Sequence, residues 1–180
     1  MSEHHQIVSE LTTRDKIEVV LYRFGIFSFA CVLLISGLEA LQIISVLQEY
    51  MIPVTGVITL HTAVFLHTYI KPVRNIVRLA PVVGLISLIF TANTQFDILS
   101  LGCFYFAMSG IALKEYICFK VTGTTLSPLV LIAAIIGYWF ENMSLGGNAQ
   151  IFAAALFLIL AVSKATQKLS DDIGDKSLYQ

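Results

Sequence analysis

Long apolar runs separated by short polar breaks dominate the chain. The runs occupy roughly Arg23–Leu47, Pro53–Ile70, Leu79–Thr94, Asp97–Leu113, Leu126–Phe140 and Gln150–Ser163. A helix rises about 1.5 Å per residue, so about 20 apolar residues cross about 30 Å of hydrocarbon. Each run is read as one membrane-crossing helix, the shorter ones crossing with little tilt or recruiting flanking interfacial residues. Ahead of the first run, Ile17, Val19, Val20 and Leu21 are mixed with Glu18 and Tyr22. That mixture suits an interfacial turn of the same helix. Pro53 begins the second run, Pro72 follows its end, and Pro81 and Pro128 lie near the starts of the third and fifth. A missing N–H costs nothing in a first helical turn. The expected fold class is therefore all-α: a polytopic membrane helix bundle of six transmembrane helices. Its parts are a polar N-terminus (1–16), the bundle (17–163) and a C-terminal tail (164–180).

Charge orients the bundle. Arg14, Lys16 and Arg23 precede or open the first run, and Lys71, Arg74 and Arg78 lie between the second and third. Lys114 and Lys120 lie between the fourth and fifth, and Lys164, Lys168 and Lys176 follow the sixth. These are all eleven Lys and Arg residues; the other three loops carry only Glu49, Asp97 and Glu141. Basic residues in short loops stay on the cytoplasmic side, so both termini are expected inside. A count of five or four spans, reached by fusing or rejecting the short runs, would put some basic loops outside. The expected location is the inner (plasma) membrane of a bacterial cell.

Composition agrees. Hydrophobic residues make up 57% of the 180 and charged residues 13%, against about 45–50% and about 25% in a soluble domain. A soluble chain of this length has too much surface to hide such a share. The net charge of −1 offers no field for nucleic acid, so the expected partners are the lipid bilayer and other membrane proteins or further copies of the chain. The segment from Met1 to Lys16 carries Glu3, His4, His5, Glu10, Arg14 and Asp15, unlike a cleavable signal peptide. Cys31, Cys103 and Cys118 are far apart, with no CxxC spacing, and are read as packing residues.

Ionisable residues inside a span are expensive and raise a functional question. Glu39 lies sixteen residues after Arg23, about 24 Å along the helix and near the outer interface. His61 lies near the midplane, where one helix–helix hydrogen bond satisfies a neutral imidazole; a proton-relay or haem-ligand role is the sharper reading. His67, six residues on, falls about 240° around the helix, so the two histidines do not share a face for one metal. No cofactor or metal is expected. In the fourth run Cys103, Ala107, Gly110 and Lys114 form a stripe of small residues ending in a cation, suited to close helix packing. Ala133, Ala134 and Gly137, and Ala153, Ala154 and Ala155, are its candidate partners. Polar character collects at the cytoplasmic ends as Tyr22, Arg23, His67, Tyr69, Lys71, Lys114 and Glu115. Lys, Arg and Tyr at that depth are ordinary anchors; Glu115, an acid among bases, is expected to pair with Arg23 or Lys71. With such short external loops, any site is expected among the helices or at the cytoplasmic mouth.

Five short pieces carry a resemblance: Leu21-Tyr22-Arg23-Phe24-Gly25, His67-Thr68-Tyr69-Ile70-Lys71-Pro72, Gly102-Cys103-Phe104, Gly110 to Phe119, and Asp172-Ile173-Gly174-Asp175-Lys176-Ser177. In these the chain resembles a family of small integral membrane proteins of unknown function from cyanobacteria and other bacteria. The resemblance implies a membrane location, brings no activity, and favours the cytoplasmic-side cluster over Glu39 and His61.

Three functions remain open. The first is a non-enzymatic accessory or assembly protein working through its helix faces or tail. The second is a small proton- or solute-coupled transporter or channel, with Glu39, His61, His67 or Glu115 on its path. The third is a haem- or metal-binding membrane protein. No catalytic residues are assigned, and the reading leans away from an enzyme.

Overall fold

The structure is a computed structural model that describes residues 12–45, 48–67, 70–92 and 94–173. Within these residues it is helical and contains no strand. Helix α1 spans Thr13–Ala40, α2 Met51–Val64, α3 Lys71–Thr91, α4 Asp97–Phe119, α5 Ser127–Trp139, α6 Met143–Thr166 and α7 Leu169–Ile173. Short 3₁₀ turns at Gln48–Tyr50 and Thr124–Leu126 lead into α2 and α5.

Local chemistry moves several boundaries from those expected. Helix α1 begins ten residues before Arg23 because Thr12 and Asp15 form a capping box: the Thr12 hydroxyl accepts from Asp15 N–H at 3.2 Å, and the Asp15 carboxylate accepts from Thr12 N–H at 2.9 Å. Two backbone donors are thereby satisfied at the start. The mixed stretch before Arg23 is thus continuous with the apolar run, as expected. At the other end, α1 stops at Ala40 rather than near Leu47, where Gln42 takes a positive φ of 59°. Helix α3 starts at Lys71 with Pro72 in its first turn, so Pro81 falls in the helix interior and not near its start. Proline is tolerated there in an apolar bundle whose neighbours re-satisfy the freed backbone. Helices α4 and α6 are likewise longer than expected, reaching Phe119 and starting at Met143, where the Asn142 side chain caps the Leu145 N–H at 3.0 Å.

Among the described residues four helices are long and apolar enough to cross a membrane: α1, α3, α4 and α6. Helices α2 and α5 have 14 and 13 residues, about 20 Å each, shorter than the six-span reading requires of a lone helix. Both are packed between longer neighbours. Helix α1 lies between α2 and α6, α3 packs on α2 and α4, α5 fills the gap between α4 and α6, and α7 folds back onto α1.

The centre of the bundle is apolar. Phe29, Phe104, Met108, Ile111, Phe157 and Leu160 are fully buried. Phe29 meets Phe157 edge-on at 4.8 Å and Tyr105 at 6.2 Å, the favoured geometry for ring quadrupoles. The small-residue stripe of α4 packs against α3, not against α5 or α6 as expected: a Cβ on Gly110 would lie 2.9 Å from Val77, and one on Gly84 would strike Phe104 and Cys103. Helices α5 and α6 instead pack on each other through Gly137 and Gly146. The three cysteines are free; Cys31 and Cys103 are half-buried and Cys118 is exposed.

Helix α2 ends early because α3 caps it. The Arg78 guanidinium donates to the carbonyls of Ala63, Val64 and Leu66 at 3.2, 2.8 and 3.0 Å, groups that a helix end leaves without partners. In Arg78→Ala the Val64 and Leu66 carbonyls lose this donor, and the Ala63 carbonyl keeps only backbone N–H partners. A loss of about 1.5–3 kcal/mol is expected, the range for hydrogen bonds to a charged group. A lower melting temperature of the purified protein in detergent would show it; an unchanged melting temperature would not fit this capping role.

Candidate functional site

Two polar regions stand at opposite ends of the apolar core. At one, the start of α1 meets the ends of α4 and α6 and the short α7. Glu115 is fully buried there. Its Oε1 accepts from the Tyr22 hydroxyl at 2.6 Å and from Lys114 Nζ at 2.7 Å. Its Oε2 lies 2.7 Å from Lys164 Nζ but outside hydrogen-bond alignment, an ion pair without a directional bond. Lys164, also fully buried, donates to Asp172 and, at 3.0 Å, to the Gln167 side chain, and stands 3.6 Å above the Phe119 ring. Asp172 in turn accepts from Arg23 Nε at 2.7 Å, and Arg23 Nη1 and Nη2 donate to the carbonyls of Gln167 and Lys168. Three cations thus surround two carboxylates. A buried ion is stable only when its neighbours replace water, and each carboxylate here has at least two partners. The cluster ties four helices together and leaves neither carboxylate open to a substrate.

Several residues expected at this end meet, and others do not. Tyr22, Arg23, Lys114 and Glu115 meet. Glu115 pairs with Lys164 and Lys114, however, not with Arg23 or Lys71; Arg23 is taken by Asp172. Lys71 is exposed at the first turn of α3. His67 lies beyond the end of α2, with its Nε2 3.2 Å from a Glu18 oxygen. Tyr69 lies outside the described residues. His61 Nε2 lies 3.1 Å from the Leu21 carbonyl, which makes that nitrogen the donor, and the ring packs edge-on against Phe65 at 5.0 Å. That is a helix–helix hydrogen bond. Sequence reasoning missed Lys164 and Asp172 as members, having counted the first only as a tail cation. The one signal for Asp172 was its place in a piece that carries the family resemblance.

At the other end, the end of α1, the starts of α2, α4 and α6 and the end of α5 surround a cavity of about 560 Å³. Glu39, 9% exposed, lines it with Asp97, Glu141, Tyr138, Trp139 and Gln150. The floor is a buried polar chain: the Tyr138 hydroxyl donates to Gln150 Oε1 at 2.6 Å, and Gln150 Nε2 donates to the Tyr105 hydroxyl at 2.5 Å. Below it Phe29, Phe104 and Phe157 close the bundle. The cavity lies among the helix ends, where a site was expected, but at the end opposite the cations. Short loops do not preclude a pocket between helix ends.

The comparisons point to a membrane protein. An uncharacterized protein of Haemophilus influenzae (strain ATCC 51907 / DSM 11121 / KW20 / Rd) is 29% identical over 182 residues, covering 100% of this chain and 99% of its own length. No solved structure matches the chain. The profile of the family described as "Uncharacterized integral membrane protein (DUF2301)" matches residues 61–180, from within α2 through the Glu115–Lys164–Asp172 cluster to the C-terminus. The chain belongs to this family of integral membrane proteins.

Proposed function

We propose that this protein is a non-enzymatic, transport-class membrane protein that binds a small solute in the cavity at the Glu39 end. The cavity carries this reading. Its volume of about 560 Å³ falls within the range of about 300–1,000 Å³ typical of small-ligand sites. An aromatic and aliphatic plug separates it from a buried ion cluster that seals the far end. A site open at one face and shut at the other is one half of an alternating-access cycle, and ion pairs are suited to closing the shut face because they can part without leaving apolar surface exposed.

The proposed topology is six spans with both termini at the cytoplasmic face of a bacterial inner membrane. The charge pattern supports it, since every Lys and Arg among the described residues falls on the α1-start, α3-start, α4-end and α6-end side. Helices α2 and α5 then complete their crossings with the 3₁₀ turns that lead into them, packed against α1, α3, α4 and α6 on one side while Val57 and Val64, and Leu129 and Ile132, are exposed for lipid on the other. The cavity opens to the outside. The accessory-protein reading rests on lipid-facing helix surfaces, which any bundle has.

Reconstituted into liposomes, the full chain is expected to accumulate at least one member of a radiolabelled panel of amines, amino acids, sugars and small carboxylates. Substitution of Trp139 by Ala is expected to reduce that uptake. Uptake no greater than in protein-free liposomes for the whole panel, together with a stoichiometric protein partner recovered in mild detergent, would overturn the reading in favour of an accessory role.

A further inference from the structure

We infer that the ligand of this cavity is a small organic cation, an ammonium group carried on an apolar body. The inference rests on the reading of the cavity as a solute site and names the class of solute.

Charge is the first ground. Among the described residues the cavity lining holds Glu39, Asp97 and Glu141 and no Lys, Arg or His. The asymmetry extends well past the lining. No Lys or Arg occurs in residues 24–70, 79–113 or 121–163, which also contain Glu49. That half of the bundle is anionic, and the compensating cations stand at the opposite end, beyond the apolar plug. A cleft of one charge sign with low-dielectric walls concentrates the field and the matching counter-ion. An anionic ligand would have to desolvate against three carboxylates.

Wall chemistry is the second ground, and it separates an organic cation from a metal ion. Among the described residues no group of three His, Cys, Asp or Glu side chains is placed to hold a metal. The carboxylates are distributed around a space lined also by Tyr138, Trp139, Met51 and Met143. A hard inorganic cation needs convergent oxygens. An alkylated ammonium needs instead a diffuse negative field and ring faces. Trp and Tyr hold such groups through their quadrupoles, an attraction that strengthens as water is excluded. The polar floor of Gln150 between Tyr105 and Tyr138 offers a neutral hydrogen-bonding end for a hydroxyl or carbonyl on the same ligand.

The test uses the full chain in detergent and in liposomes, with choline and tetramethylammonium as cations. The neutral isostere of choline, dimethylbutanol, and the anion pivalate are the controls. Both cations are expected to bind at least about tenfold more tightly than the neutral isostere, with pivalate weakest. Glu141→Gln, at the exposed rim, and Trp139→Leu are expected to weaken cation binding without loss of melting temperature. Glu39→Gln is expected to weaken it most. Lys120→Gln, at the far end, is expected to leave it unchanged. Equal or tighter binding of the isostere or of pivalate overturns the inference, as does absence of binding by all four probes. The two claims fail separately: cation binding without uptake refutes transport and leaves the ligand class standing, whereas uptake of a neutral or anionic solute alone refutes the ligand class and leaves transport standing.

Discussion

Replacing Lys164 with Met should destabilise the protein more than any other single substitution in the ion cluster. Lys164 is fully buried and serves both carboxylates, pairing with Glu115 at 2.7 Å and donating to Asp172. Met keeps much of the unbranched stem and removes only the charge. Glu115 and Asp172 then remain in the interior with part of their compensation gone. Removing one partner of a buried ion pair costs about 3–5 kcal/mol, because the remaining charge has lost its replacement for water. Thermal unfolding in detergent reads the effect. The double variant Lys164→Met with Glu115→Gln should recover part of the loss, since removing both partners leaves no orphaned charge on that side. A wild-type melting temperature for Lys164→Met, or a double variant worse than the sum of the two single changes, would show that the cluster does not hold the helices together as described.

The second large effect is expected at the α5–α6 hairpin. A Cβ on Gly137 would lie 2.7 Å from the Gly146 Cα and closer still to its backbone nitrogen. Backbone atoms cannot rotate away as a side chain can, so the two helices must separate. Gly137→Leu is expected to cost at least the 1–3 kcal/mol typical of overpacking, and about that for Gly137→Ala. In lipid the penalty is felt directly, because helix association there depends on close packing more than on hydrophobic drive. Gly102 is the control: a Cβ there meets nothing within 4 Å. Gly102→Ala should be neutral or stabilising by up to about 1 kcal/mol, from helix propensity alone. Similar melting temperatures for Gly137→Ala and Gly102→Ala would contradict the close approach.

The helical class was legible because apolar runs are long-range, redundant signals; the span count was not, since among the described residues four helices reach span length and α2 and α5 are short. Helix ends were less so. The start of α1 depends on a pair three residues apart, Thr12 with Asp15, and the end of α2 on Arg78 reaching back from the next helix. Neither leaves a trace in hydropathy. In the ion cluster Tyr22, Arg23, Lys114 and Glu115 were visible as polar residues at one depth. Their pairing was not, because Lys164 and Asp172 come from the far end of the chain, the first brought in by the packing of α6 on α1 and the second by the fold of α7 onto α1. The cavity was the least legible feature. Glu39 was noticed as an intramembrane acid, but Asp97 and Glu141 read as loop residues, and Gln150 read as the start of an apolar run. Their convergence depends on which helix ends meet, a tertiary property.

Charge-selective thiol labelling in intact cells tests most directly the claim of an outward-facing anionic cavity sealed from the cytoplasm. In a background with Cys31, Cys103 and Cys118 replaced by Ala, single cysteines are placed at Ser36, on the cavity wall, and at Lys120, beyond α4. A membrane-impermeant trimethylammonium methanethiosulfonate is expected to modify Ser36→Cys from outside, at least about tenfold faster than its sulfonate counterpart. Lys120→Cys should react with either reagent only after the membrane is permeabilised. Labelling of Lys120→Cys from outside would invert the proposed topology, and faster reaction of Ser36→Cys with the sulfonate would contradict the anionic cavity.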